Sequence, residues 1–328
     1  VASRLPVIAA VIGDAAGIGP EVCVKAVADS ALAGHCLPVL IGDVQVVRMA
    51  ARIAGVSLPV VALAQHDVGQ IGPGRISVLD PGGFDASGLR MATVSAANGH
   101  AVLAAMKLGA DLGRQGLIQG LVWGPVHTDS MKATGLIVDI DDLQPAGTFM
   151  LRLSGPLRLV PLSEHVPLVK AIELVTPQSV LALVRLVDGT LRSWGWAAPR
   201  IAVAGVNPHA MFEDDHLRID PAVKAARAEG ISVDGPVAPD SVFRMAMEGR
   251  YDAVVTMFHD QGQIVIKTVG FAGACTVYIG LPYVLLNVPH GTAFDIAGKG
   301  LAQHRSMLAA FQTATLLAGG QGLKAVTA

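Results

Sequence analysis

With 328 residues, 52% of them hydrophobic and 15% charged, the chain can bury a large core and is long enough for two ordinary domains. A formal net charge of −2 with no basic block excludes an electrostatic surface for nucleic acid or acidic lipid. Three scattered cysteines, Cys23, Cys36 and Cys275, exclude a disulfide framework or a thiolate zinc site, and each reads as a small core residue.

Aromatic residues make up only 4%, so the core must come from Val, Leu, Ile and Ala, the composition of parallel sheets covered by helices. Leu5–Ile12 reads as a strand; its apolar run ends in Gly-Asp, too soon for a signal peptide. No run reaches the ~18 apolar residues of a membrane span, and a cytoplasmic protein is expected. A glycine-rich turn and a helix over Pro20–Ala28 follow. Leu37–Ile41, Gly120–Val122, Leu157–Leu162, Ile201–Val206 and Ala253–Met257 are predicted strands. Ser95–Leu112, Gln178–Val187, Pro221–Glu229 and Gln303–Ala318 are predicted helices. Gly69–Gly88 is rich in Gly and Pro and reads as an irregular excursion. The segment 128–156 carries Asp139, Asp141 and Asp142 among apolar residues, as a partner-contacting arm or a substrate loop would. Strands alternating with helices predict an α/β architecture with largely parallel sheets.

Three stretches carry candidate chemistry. In the first, Gly13, Asp14, Gly17 and Gly19 sit between a strand and a helix that opens with Pro20 and Glu21. Free N–H groups there suit an anion, although an ordinary strand-to-helix turn has the same composition. The second is positional, because three predicted strands each run into a histidine: His165, His209 and His259. Ligands of open α/β sheets gather at the carboxyl ends of strands, and three imidazoles there could hold one divalent metal with a position left open. A structural histidine at each place is the competing reading. The third, His290-Gly291-Thr292-Ala293-Phe294-Asp295, is a turn of small and polar groups that can wrap an adenosine or simply be a surface loop. Asp240 and Lys267 are further candidates. Lys267 follows Gln263-Ile264-Val265-Ile266, read as a strand, and either snorkels outward or meets an anion. His35, His66, His100, His127, His216 and His304 read as surface or satisfied core residues.

Over nearly its whole length the chain resembles the 4-hydroxythreonine-4-phosphate dehydrogenase family. The resemblance rests on Gly13–Glu21, Asn98–His100, Gly124–His127, Ser163–Leu168, Asn207–Ala210, Tyr251–Lys267, Gly280–Pro282 and His290–Gly300. It implies an isopropylmalate/isocitrate dehydrogenase-like two-domain fold with mixed, largely parallel sheets and a cleft between domains. The expected cofactor-binding domain is 1–125 plus 275–328, and 126–274 is the expected metal, substrate and dimerisation domain. His165, His209 and His259 are implied as ligands of a divalent metal, most simply zinc, in a homodimer whose site is shared between subunits. Gly13, Asp14, Gly17, Gly19, His290, Gly291, Thr292, Ala293 and Asp295 are expected to bind NAD or NADP. Asp240 and Asp260 are the candidate bases, and Lys267 is expected to bind a substrate carboxylate.

The chain also departs from the family's pattern. Asp141 and Asp142 replace a substrate-contacting His-Thr pair, and Thr276 and Leu285 stand at substrate-binding Asn and Arg positions. Losing the Arg fork and gaining two carboxylates disfavours a phosphate dianion. This points to the terephthalate dihydrodiol dehydrogenase-like branch: oxidation of a hydroxyl beta to a carboxylate, with loss of CO2. The alternatives are oxidation of 4-hydroxythreonine 4-phosphate or a related sugar-acid phosphate, and a non-catalytic ligand-binding homologue.

Overall fold

The computed structural model describes residues 5–65, 67–270 and 275–322; His66 lies outside them. In chain order the strands are β1 (Val7–Val11), β2 (Leu37–Ile41), β3 (Val60–Leu63), β4 (Ile76–Leu79), β5 (Gly120–Trp123) and β6 (Phe149–Ser154). Then come β7 (Leu157–Pro161), β8 (Ile201–Ala204), β9 (Val233–Val237), β10 (Ala253–Thr256), β11 (Cys275–Ile279) and β12 (Val284–Asn287). The fold is mixed α/β with mostly parallel strand pairing.

Two compact units divide the chain: 1–146 with 281–319, and 147–280 with 320–328. Residues 126–146, assigned from sequence to the second domain, therefore cluster with the first. In the first unit the strand order is β3-β4-β2-β1-β5-β12, and every pair is parallel. Helices cover such a sheet, so β1, β4 and β5 are buried at every residue, which is why β1 and β5 read as unbroken apolar runs. In the second unit the order is β11-β6-β7-β10-β8-β9. There β6 pairs antiparallel with both β11 and β7, while β7, β10, β8 and β9 pair in parallel.

Local chemistry fixes the helix ends. Asp43 accepts from the N–H of Gln45 and Val46, Ser95 from Asn98, and Thr176 and Ser179 form a capping box that spans Pro177. The first helix runs Gly19–Ala28 and the last Arg305–Ala318. All three cysteines are free, and Cys23 and Cys36 are buried. No helix among the described residues is long and apolar enough to cross a membrane.

Two readings of the sequence change, and a third segment gains its elements. Gln263–Lys267 lies within the helix His259–Val269, not in a strand. Its β-branched run is overridden because Gly262 and Ile266, one helical turn apart, face the core, and Gly270 ends the helix in the left-handed conformation (φ 54°). The Gly69–Gly88 stretch contains β4, which pairs with β2 and β3. The 128–156 segment holds a short helix (Thr128–Lys132), a 3-10 turn (Ile140–Leu143) and β6.

Leu157, Leu159, Ala202, Ala204, Val242, Val254 and Ile266 form one core cluster of the second unit. Truncating fully buried Leu159 leaves a cavity under β10. Leu159→Ala is therefore expected to cost about 2–5 kcal/mol, read as a lower urea midpoint with an unchanged slope.

Candidate active site

In the second unit, β7 and β10 lie side by side in parallel, with Leu159, Val160 and Pro161 opposite Val254, Val255 and Thr256. The pairing continues one step past the strands, where the Leu162 N–H donates to the Thr256 carbonyl (2.7 Å). The buried Ser163 hydroxyl then donates to the Met257 carbonyl (3.3 Å). The two chains thus leave the sheet level with each other. His165 and His259 end up adjacent, their ring centroids 4.9 Å apart and tilted by 56°.

One donor atom each from Glu164, His165 and His259 lies within 4.8 Å of the others. Two imidazoles and a carboxylate at this spacing are a donor set that fits a divalent cation after small side-chain adjustments. The His259 Nδ1 contacts an Asp260 carboxylate oxygen at 2.7 Å, a pairing that orients the ring and leaves Nε2 open.

His209 is placed differently. It follows β8, which flanks β10 on the side away from β7, and it sits in the left-handed region (φ 57°). Its Nδ1 pairs with the Asp240 carboxylate at 3.0 Å, and both side chains are more than half exposed. Within this chain the structure therefore brings His165 and His259 together and sets His209 beside Asp240.

Two residues that hold this region went unread in the sequence. Asp215, fully buried, accepts from the backbone N–H of Val206, Asn207 and Phe212 and from the Asn207 amide, which fixes the turn carrying His209. Gln261 donates to the Gly205 carbonyl and accepts from the Met257 N–H, linking the ends of β8 and β10. Neither belongs to a local spacing pattern, so only the folded backbone reveals them. Lys267 is exposed on the helix His259–Val269, and Thr276 on β11 lies opposite Arg152 of β6.

In the first unit the two glycine-bearing segments meet. The Ile18 N–H donates to the Thr292 carbonyl (2.9 Å), and a Cβ on Gly17 would come within 2.8 Å of the Thr292 Cβ. Gly13 (φ +76°) and Gly19 are required by backbone contact as well, since a Cβ there would stand 2.2 Å from the Pro125 carbonyl oxygen and 2.1 Å from that of Ile12. Gly291 differs, because a Cβ would meet nothing within 4 Å, so this stretch presents open backbone. The His127 ring stacks on Phe294, with centroids 4.6 Å apart at 19°. His290 Nδ1 lies 3.1 Å from the Gly291 carbonyl, Ala293 has φ 41°, and Lys299 reaches the Asp295 carbonyl (2.7 Å).

Asp141 and Asp142 lie on the 3-10 turn Ile140–Leu143. One Asp142 oxygen accepts from the N–H of Val138 (2.7 Å) and Asp139 (3.0 Å), bonds that hold its carboxyl below the usual carboxylate range. Leu285 is a fully buried residue of β12.

Asp14 has no exposed surface, and one of its oxygens accepts the Ala16 N–H (2.9 Å). Burial raises its pKa, with the Ala16 bond, Ser130 and His127 acting against that rise. The folded chain thus holds this proton more tightly than the unfolded chain, and stability falls as pH rises through the folded pKa. Asp14→Asn keeps the acceptor and abolishes that loss. Its denaturation midpoint relative to wild type is expected to rise as pH increases from about 4, near the unfolded carboxyl pKa, to about 8; a pH-independent difference would refute the assignment.

Comparison with known proteins places this geometry in a lineage. Residues 34–314 match the family model described as pyridoxal phosphate biosynthetic protein PdxA. A Novosphingobium aromaticivorans protein with a provisional 4-hydroxythreonine-4-phosphate dehydrogenase name is 40% identical, over 97% of each chain. A Clostridium botulinum protein with a provisional D-threonate 4-phosphate dehydrogenase name is 34% identical, over 93% of this chain and 95% of its own. Among solved structures, a 4-hydroxythreonine-4-phosphate dehydrogenase from Burkholderia phymatum superposes with a TM-score of 0.84 at 32% identity, covering 96% of this chain and 99% of its own. A terephthalate 1,2-cis-dihydrodiol dehydrogenase from Burkholderia xenovorans LB400 gives 0.75 at 28% identity, covering 95% and 98%. The chain belongs to the PdxA family.

Proposed function

We propose that this protein is a metal-dependent NAD(P) dehydrogenase of a phosphorylated four-carbon hydroxy acid, of the 4-hydroxythreonine 4-phosphate or D-threonate 4-phosphate kind. The observation that carries the reading is end-to-end similarity to relatives with those names, at 34–40% identity over more than nine-tenths of the chain. Both substrates have a hydroxyl on the carbon beta to the carboxylate and a phosphate ester on the terminal carbon. Hydride transfer from that carbon to the nicotinamide, with loss of the hydroxyl proton, gives a β-keto acid that sheds CO2.

This replaces the ring-diol reading as the first choice. That reading took Leu285, Asp141 and Asp142 as features hostile to phosphate. Leu285 is enclosed in a core strand, and Asp142 has an oxygen engaged by two backbone N–H groups of its own turn. Asp142 stays ionised and Leu285 still lacks a guanidinium, but end-to-end likeness to relatives named for phosphate esters supports the phosphate reading over these identities. The ring-diol acid remains the second reading, favoured by the likeness to the Burkholderia xenovorans enzyme.

When bound, a divalent cation lowers the pKa of a coordinated hydroxyl and stabilises negative charge on the oxygen it becomes. His165 and His259 would hold it, with His209 a further candidate in a homodimer whose subunits share the site. Asp260 and Asp240 are the candidate acceptors for the hydroxyl proton. Asp260 would act from beside His259, and Asp240 from beside His209. Lys267 is assigned to the substrate carboxylate. His290–Asp295, with open backbone at Gly291, would receive the adenosine side of NAD or NADP.

The test is cofactor reduction with a four-carbon hydroxy-acid 4-phosphate and with a cis-diol of an aromatic acid, each before and after chelation. Turnover of the phosphate ester with CO2 release is expected, and metal removal should lower it ~100-fold or more, the equivalent of several kcal/mol of transition-state stabilisation. Turnover of the diol alone would restore the second reading. Undiminished turnover of the stripped enzyme would sink metal dependence.

A further inference from the structure

The residue before His165 is held in a way that metal binding by histidines alone does not require. Arg152 is 5% exposed on β6, and its guanidinium grips Glu164 at both oxygens: Nη1 to Oε1 at 3.0 Å and Nη2 to Oε2 at 2.7 Å. The Glu164 side chain is 15% exposed. The same carboxylate supplies the third donor atom of the group formed with His165 and His259.

We propose that Glu164 is a ligand of the divalent metal in this protein, and that Arg152 is the positioning residue that aims it. The inference rests on the metal-dependent reading above and specifies the site's chemistry. Each carboxylate oxygen has two acceptor positions. The Arg152 fork takes one from each and leaves one on each for a cation. Ligating carboxylates are themselves hydrogen-bonded by outer groups, and a planar fork fixes the carboxylate plane as a single donor cannot. The β6–β7 hairpin sets the geometry: its antiparallel register pairs Arg152 with Leu159, and β7 then leads through Pro161 to Glu164 and His165.

An anionic oxygen beside the imidazoles makes a harder donor set than imidazoles alone, whether or not His209 joins it. Such a site accepts Mn2+ and Fe2+ as well as Zn2+, and leaves further positions open.

The full-length protein, stripped with chelator, is titrated calorimetrically with Mn2+ and with Zn2+. Wild type is expected to bind both. Glu164→Gln should bind Mn2+ ~100-fold more weakly and Zn2+ ~10-fold more weakly, because it keeps an acceptor for Arg152 and loses the charge. Glu164→Asp should recover part of the Mn2+ affinity. Equal affinities in wild type and Glu164→Gln would overturn the proposal while leaving metal dependence intact. No binding by wild type would instead remove the metal-dependent reading itself. A Mn2+-soaked wild-type crystal needs no variant to fold. A Glu164 oxygen about 2.0–2.3 Å from the ion supports the assignment, and one beyond about 3 Å refutes it.

Discussion

The candidate metal centre depends on the pairing of β7 with β10. Because the two strands run in parallel and end level, chain segments separated by about ninety residues leave the sheet together, and their first polar residues face the same volume. Side chains alternate along a strand, so a slip of one residue would turn His165 away from His259. Bonds beyond the strands guard against that slip: Leu162 to Thr256, Ser163 to Met257, and Gln261 from Met257 across to Gly205. The site is thus an extension of the hydrogen-bonding ladder, which explains why its neighbourhood is so rich in main-chain contacts.

Carboxylates are used repeatedly as internal braces. Asp215 gathers the turn after β8, and Asp14 ties the loop after β1. Glu21, almost fully buried, accepts the Ala302 N–H and the Lys25 ammonium, which in turn reaches the carbonyls of Gly300 and Ala302. Together with the Ile18–Thr292 bond, these contacts pin both ends of the 292–302 segment to the start of the first helix. Buried charge is costly when unpaired: Asp215 is met by three backbone N–H groups and Glu21 by the Lys25 ammonium, whereas Asp14, with one backbone bond, holds its proton more tightly instead. A stretch that would otherwise be a loose glycine-rich loop becomes a fixed platform.

Single residue identities and whole-chain kinship point to different substrates. Leucine in place of arginine and two added aspartates suggest, as identities, a site that rejects phosphate. Their environments leave that suggestion standing in part, since Leu285 is core while Asp142 stays ionised on an exposed turn; the kinship to relatives named for phosphate esters is what points the other way.

The sequence by itself determined the α/β class, most element positions and the family. Apolar runs at β1, β5 and β10 and the Ala-rich helix periodicity are local consequences of burial on one or both faces. The ordered motifs from Gly13–Glu21 to His290–Gly300 are contiguous and can be read without coordinates. Local pattern misled at Gln263–Lys267, where β-branched residues form a helix because Gly262 and Ile266 must face the core. Only the tertiary structure decided which imidazoles stand together, that Glu164 joins them under the grip of Arg152, and that Asp215 supports the turn bearing His209. Those relations join residues from neighbouring strands and turns. Strand order and register create them, and neither is written in the spacing of residues along the chain.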